Sequence, residues 1–429
     1  MTYRGNYIPK RKKVNYKRVV PFIIVLAIII GIIIGKLLKP EAVPTKPGYA
    51  FCNMTDRESQ SIAVNNLNES TVVMQDYSVY GDSLTFYDKK YDVNLPNSKI
   101  SNRVILKNLC NEEEEVAYFL GNGLDSQIAL SNLSPGFYEM RVYEGFERKR
   151  IISEEVMDVT LNSASINGES NQVKILANKD LFEVEGMDKL DKNYVFLEVK
   201  KTVSNPDKYD VILDPNGLYD DGSGYIYPGL VINGFHEAND MYNLAKSVQT
   251  ELTSRGYRVA LSRDGQTPIS IHGEEGRIFK AYQQEAKYYI HFTMLYDTRP
   301  NTRGATVIYS NFSTSKFAEI MRNQLAKTNL SLYDFGVGTT GITQTGKFEG
   351  LDYNAILRET GGTYTGAGTV NERYQKINAF AKDKNKGIQS LIIELGYASN
   401  PETMNVLNNE YDSIITAIAD GIEMQLNQE

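Results

Sequence analysis

The chain has 429 residues, a formal net charge of −7, two cysteines and no tryptophan; at this length it can form two or three domains, each with its own core. The first 40 residues carry nine Lys or Arg and no acid, so the rest holds the whole negative balance. An acidic body of this kind excludes nucleic acid as the partner.

Residues 19–35, "VVPFIIVLAIIIGIIIG", are uncharged. With Lys36 snorkelling beneath Leu37 and Leu38, the run reaches the ~20 residues that span a hydrocarbon core, which predicts a transmembrane helix over 19–38. A cleaved signal peptide has a shorter apolar region and a small-residue cleavage site, and the flank "KLLKPEAVPTKPG" offers neither clearly. The basic tail, residues 1–18, stays cytoplasmic by the positive-inside rule, and everything after the span lies outside. Gly31 and Gly35 form a G-x-x-x-G pair, the spacing that lets two membrane helices self-associate.

Residues 39–70 are rich in Pro, Asn, Ser and Thr and read as a linker. Cys52 and Cys110 both fall on the outer side, where a disulfide is available to them, and their spacing matches no metal motif. From 71 to 200, short apolar runs alternate with turn clusters, as in "RVILKNLC" and "GFYEMRVYEGF"; this predicts an all-β, sandwich-like module. In the second run Tyr138, Met140 and Val142 point one way and Glu139 and Arg141 the other. The module is similar, at low specificity, to immunoglobulin-like or transthyretin-like extracellular modules.

From 207 to 429 strands alternate with helices: "DVILD", then the amphipathic "HEANDMYNLAKSVQTELTSRG", then "YRVALS", "EEGRIFKAYQQEA", "KYYIHF", "ATVIYS", "TSKFAEIMRNQLAKT", "SLIIEL" and a last helix. This order predicts an α/β domain, a mainly parallel twisted sheet with helices on both faces. Ligands of such sheets sit beyond the carboxyl ends of the strands, and there the apolar run "SLIIEL" ends on Glu394. A carboxylate in that place is either paired or used; Arg263, Arg277 and Arg358 are the candidate partners.

Five landmarks in order give this region a resemblance: "LDP" at 213–215, "NLA" at 243–245, "SRGYRVALSRD" at 254–264, Arg277, and "IIELGYASNPE" at 392–402. Together they resemble the zinc-dependent N-acetylmuramoyl-L-alanine amidase family, which cuts the amide between muramic acid and the stem peptide of peptidoglycan. The resemblance covers about half the chain. It implies a zinc held by a His in the first loop, a Glu at the start of the first helix and a His at a strand end, with the late Glu working on the metal-bound water.

Laid on that pattern, the ligand positions are degenerate. The first-loop position holds Gly217 or Asn216, counting back from "NL" puts Asn239 at the Glu position, and an ungapped strand puts Thr293 at the second His. Only Glu394 matches the catalytic set. His236 and His291, with Glu237 or Asp240 nearby, are the available substitutes. Arg263, Arg277 and Tyr364 are candidates for a binding groove, Tyr364 because a long Gly-, Thr- and Tyr-containing insertion follows "ILRET".

The reading that follows is a single-pass cell-membrane protein with its C-terminal domains extracytoplasmic. Its amidase-like domain needs no cofactor and acts as a pseudoenzyme that binds peptidoglycan or its stem peptide, or regulates a partner hydrolase. An active zinc amidase is the first alternative, and a structural surface protein that binds through its β module is the second.

Overall fold

A computed structural model describes residues 49–427 apart from 66–68, 90–99, 102, 112–113, 120–127, 204–206, 221, 273–274, 300, 312, 337–339, 349–350, 358–359 and 361–386. The expected membrane span with Gly31 and Gly35, and also Arg358 and Tyr364, lie outside the described residues. Among the described residues no helix is long and apolar enough to cross a membrane.

Part of the stretch read as linker is packed structure. Thr55 caps helix α1 (Asp56–Ala63) through a reciprocal capping box with Glu58. Phe51 stacks on Phe137 with ring centroids 4.3 Å apart, and Cys52 is joined to Cys110 by a disulfide. Burial decides against a linker here: Phe51, Phe137, Phe182 and Phe196 share one core cluster, and four aromatic rings outweigh a polar local composition.

Eleven strands follow, β1 (Thr71–Met74), β2 (Asp76–Tyr80), β3 (Ser83–Tyr87), β4 (Arg103–Asn108), β5 (Glu114–Phe119), β6 (Ile128–Ala129), β7 (Gly136–Glu144), β8 (Glu147–Ser153), β9 (Met157–Asn162), β10 (Glu169–Ala177) and β11 (Asn193–Val203). One sheet runs β5-β4-β7-β8-β11-β10-β9 with β1 added beside β8, and a second runs β2-β3-β6. Alternation puts Tyr138, Met140 and Val142 of β7 into the core with Leu84, Phe86 and Ile128 of the small sheet. The other face of β7 is covered as well. Glu139 and Arg141 are buried, because they pair with each other, Arg141 also binds Glu69 at 2.9 Å, and Arg150 lies alongside.

The second half builds a six-stranded sheet from β12 (Val211–Pro215), β13 (Val259–Leu261), β14 (Tyr288–Leu295), β15 (Thr306–Tyr309), β16 (Ile342–Gln344) and β17 (Gln389–Tyr397), ordered β13-β12-β14-β17-β15-β16. All neighbours run parallel except β15 against β17. Side-chain alternation feeds two cores. Val211, Leu213, Ile290 and Phe292 face helices α2 (Glu237–Ser254), α4 (Lys316–Leu325) and α7 (Tyr411–Asn427), while Ile212 and Tyr289 face α3 (Arg277–Gln283). Two further helices, α5 (Ala355–Leu357) and α6 (Pro401–Asn409), flank the long strand β17.

Residues 48–429 form one compact unit, and polar bonds lock its halves together. Asp82 accepts from the backbone of Ser131 and Ala164, Ser165 N–H donates to Asp210 at 2.6 Å, and Lys287 donates to the Asn162 carbonyl. Asn132 and Ser131 donate to the terminal carbonyls of α7 at Asn427 and Leu426. At the Gly81 turn, a Cβ would come within 2.9 Å of the Tyr288 ring, so the seam there admits only glycine without a shift.

Candidate functional site

The carboxyl ends of β12, β14 and β17 meet at one crevice. Asn216 follows β12 and is tied to β14 by its N–H on the Phe292 carbonyl, 3.0 Å; Thr293 on β14 pairs in register with Glu394 on β17. Glu237 opens α2 and is fully buried. Its position follows from helical spacing, because it lies in phase with Met241, Leu244, Val248 and Leu252, the face α2 buries.

Glu237 is saturated with hydrogen bonds. One carboxylate oxygen accepts from the Asn216 amide at 3.0 Å, the Thr293 hydroxyl at 2.8 Å and the Met294 N–H at 3.0 Å. The other accepts from Leu230 N–H at 2.8 Å. That last bond needs the backbone close by, and Gly229 allows it: at φ +81°, a Cβ there would sit 3.0 Å from Glu237 Cβ. Four donors offset the cost of burying the charge.

Behind the crevice lies a buried ionic brace. Asp214 of β12 accepts from Ser262, lies 3.3 Å from Arg277 and 2.6 Å from His291 Nδ1. Burial alone would raise its pKa, but His291, Arg277 and Ser262 together hold it well below the usual carboxylate range. Arg277 also donates to the carbonyls of Gly217 and Leu218. Arg263 donates to those of Pro215, Asn216 and Ala238, and burial together with the Arg277 charge lowers its pKa to about 10.

Glu394 is half-buried and makes no hydrogen bond or ion pair among the described residues. Burial pushes its carboxyl up to about 7, with the His291 charge opposing.

Residues 218–424 match the family model described as N-acetylmuramoyl-L-alanine amidase. The C-terminal domain is amidase-like. Solved structures similar to the chain include amidase AmiC2 of Nostoc punctiforme, at 22% identity over 51% of this chain and 96% of that one with a TM-score of 0.34. Ami1 of Mycobacterium smegmatis matches at 20% identity over 51% and 97%, TM-score 0.37. The CwlD amidase of Clostridioides difficile, in complex with the GerS lipoprotein, matches at 16% over 52% and 100%, TM-score 0.34. No curated protein sequence matches the chain.

Against the amidase pattern, the structure brings together three of the sequence-predicted residues, Asn216, Thr293 and Glu394, and adds one that residue counting misses. The acid that reaches the crevice is Glu237; Asn239 is exposed. The count fails because five residues, not three, separate the acid from Asn243-Leu244, and the signal that finds Glu237 is its phase with the buried face of α2. At the first loop Asn216 reaches Glu237 and Thr293 with its side chain, and Gly217 contributes none.

The two substitute histidines do not rebuild a metal site. His236 is exposed, with its backbone N–H bonded to Asp240, and His291 is committed to Asp214. Arg263 and Arg277 are buried and turned into the first loop, so they neither line a groove nor pair with Glu394. Among the described residues no three His, Cys, Asp or Glu are grouped so as to hold a metal. The amidase donor set here is an amide, a hydroxyl and a carboxylate already bonded on both oxygens, and this set does not fit zinc, which takes His, Cys or a free carboxylate. What the crevice offers a ligand is hydrogen bonding, from Asn216, Thr293 and the carboxyl of Glu394.

Proposed function

We propose that the protein is a membrane-anchored, extracytoplasmic cell-wall protein whose amidase-like domain binds peptidoglycan without hydrolysing it. The observation that carries the reading is the saturation of Glu237 by Asn216, Thr293 and two backbone N–H groups. In that arrangement hydrogen bonds fill the place where an amidase of this family holds its cation. Glu394 then has no activated water to serve, and its protonatable carboxyl becomes a ligand-facing group. The Cys52–Cys110 disulfide supports placement on the oxidising side of the membrane, and the apolar run over 19–38 supports the anchor.

The active-amidase alternative has two residues in its favour, Glu237 and Glu394, which keep the family's acids. Purified full-length chain decides between the two. The proposal expects far less than one zinc per chain, no release of stem peptide from muropeptides with or without added zinc, and co-sedimentation with insoluble peptidoglycan. One zinc per chain together with stem-peptide release abolished by Glu394→Gln would establish the hydrolase instead.

A further inference from the structure

A groove of about 1070 Å³ lies between the hairpin around Asn233, helix α2 and helix α6. It is separate from the strand-end crevice: Asn216, Glu237, Thr293 and Glu394 do not line it. Its size is at the top of the ~300–1,000 Å³ typical of small-molecule sites, which suits a short oligomer better than a single ring.

The lining has a definite chemistry. Met241, Leu244 and Leu407 are buried and give an apolar floor. The rim carries the amides of Asn233, Asn243 and Asn408, all exposed and without hydrogen bonds among the described residues. The charged side chains in the lining are Asp240 and Lys246, of opposite sign, and Asp240 already accepts from His236 N–H. The groove is therefore close to neutral, which disfavours ligands that bring several charges, such as an ionised peptide or a phosphate polymer. Side-chain amides both donate and accept, so they pair equally with hydroxyls and acetamido groups. An apolar floor under such a rim matches a pyranose, whose C–H faces are apolar and whose edge is polar.

We infer that the groove between α2 and α6 binds the neutral N-acetylated amino-sugar backbone of the glycan strand, through the amides of Asn243 and Asn408. This rests on the cell-wall reading above but not on the loss of hydrolysis. It adds that the sugar chain, rather than the stem peptide, is held here.

The test is titration of the full-length chain with chitotetraose, a neutral oligomer of four N-acetylglucosamine units, followed by calorimetry or ligand-observed NMR. Wild type is expected to bind, and Asn243→Ala/Asn408→Ala to weaken binding about tenfold, as loss of two ligand hydrogen bonds implies. Both side chains are exposed, so the variant should keep the wild-type melting temperature. An added stem peptide should not displace the sugar. Absence of chitotetraose binding, binding unchanged in the double variant, or displacement by the peptide each overturns the inference. If chitotetraose fails while co-sedimentation with peptidoglycan persists, the groove assignment alone falls; if both fail, the cell-wall reading falls with it.

Discussion

Thr293 on β14 donates its hydroxyl to Glu237 at the start of α2 over 2.8 Å, and the Asn216 amide reaches the same oxygen. In the function proposed above, these two neutral donors stand where the amidase pattern calls for imidazoles. The loop that carries Asn216 is clamped by Arg263 and Arg277. Restoring the imidazoles should therefore restore the metal. The double variant Asn216→His/Thr293→His is expected to take up about one zinc per chain, read by metal analysis after dialysis, with each single variant well below that. A double variant that remains metal-free would show that the clamped loop no longer has amidase geometry.

The stability of the crevice depends on Glu237. Glu237→Ala strands Asn216, Thr293, Met294 N–H and Leu230 N–H at once, and the expected loss is about 3–5 kcal/mol in urea unfolding. Asn239→Ala, two residues along the same helix and exposed, should change stability by no more than about 0.5 kcal/mol. Equal effects from the two substitutions would contradict the assignment of the buried acid.

Glu394 makes stability depend on pH. Its folded pKa is raised from 4.5 to about 7, so between those values the folded state holds a proton that the unfolded state releases. Stability should therefore fall as pH rises through that window and level off above it. Glu394→Gln removes the cost of the buried charge, and is expected to stabilise the protein by about 1–3 kcal/mol at pH 8 but by less than about 1 kcal/mol at pH 5. Urea midpoints of both proteins at the two pH values give the comparison. A variant that is destabilised at pH 8 would mean that the carboxylate has a charged partner.

The Cys52–Cys110 disulfide closes a loop of 58 residues. Loop entropy alone gives about 4 kcal/mol for a closure of that length. Cys52→Ser/Cys110→Ser should lower stability by about 2–4 kcal/mol and free the segment that carries Phe51 and α1. Limited proteolysis should then cut near Thr55 faster than in the wild type. No change in either measurement would place the stability of this segment in its aromatic contacts instead.

The sheet of the amidase domain was legible because its strands are continuous runs such as "DVILD" and "SLIIEL", buried on both faces, with helices of clear period between them. Helix α1 was not, since six of its eight residues are polar, and what holds that segment down, the disulfide to Cys110 and the rings of Phe137, Phe182 and Phe196, lies far away in the sequence. Asn216, Thr293 and Glu394 could be found from motif order. Glu237 could not be found by counting from Asn243-Leu244, because the spacing between them inside α2 is five residues rather than three, whereas the phase of the buried face is fixed by packing. His291 and Arg277 misled for a shared reason: sequence shows that a polar side chain sits at a strand or helix end, but not that Asp214 waits behind it.

The carbonyls that end α7 are held by Ser131 and Asn132, residues nearly three hundred positions earlier. The last helix thus closes the chain like a clasp, and neither half has a finished surface without the other. Heat or denaturant should melt front and back in a single transition. Substitutions far away in the β module then become a means of loosening or tightening the crevice itself.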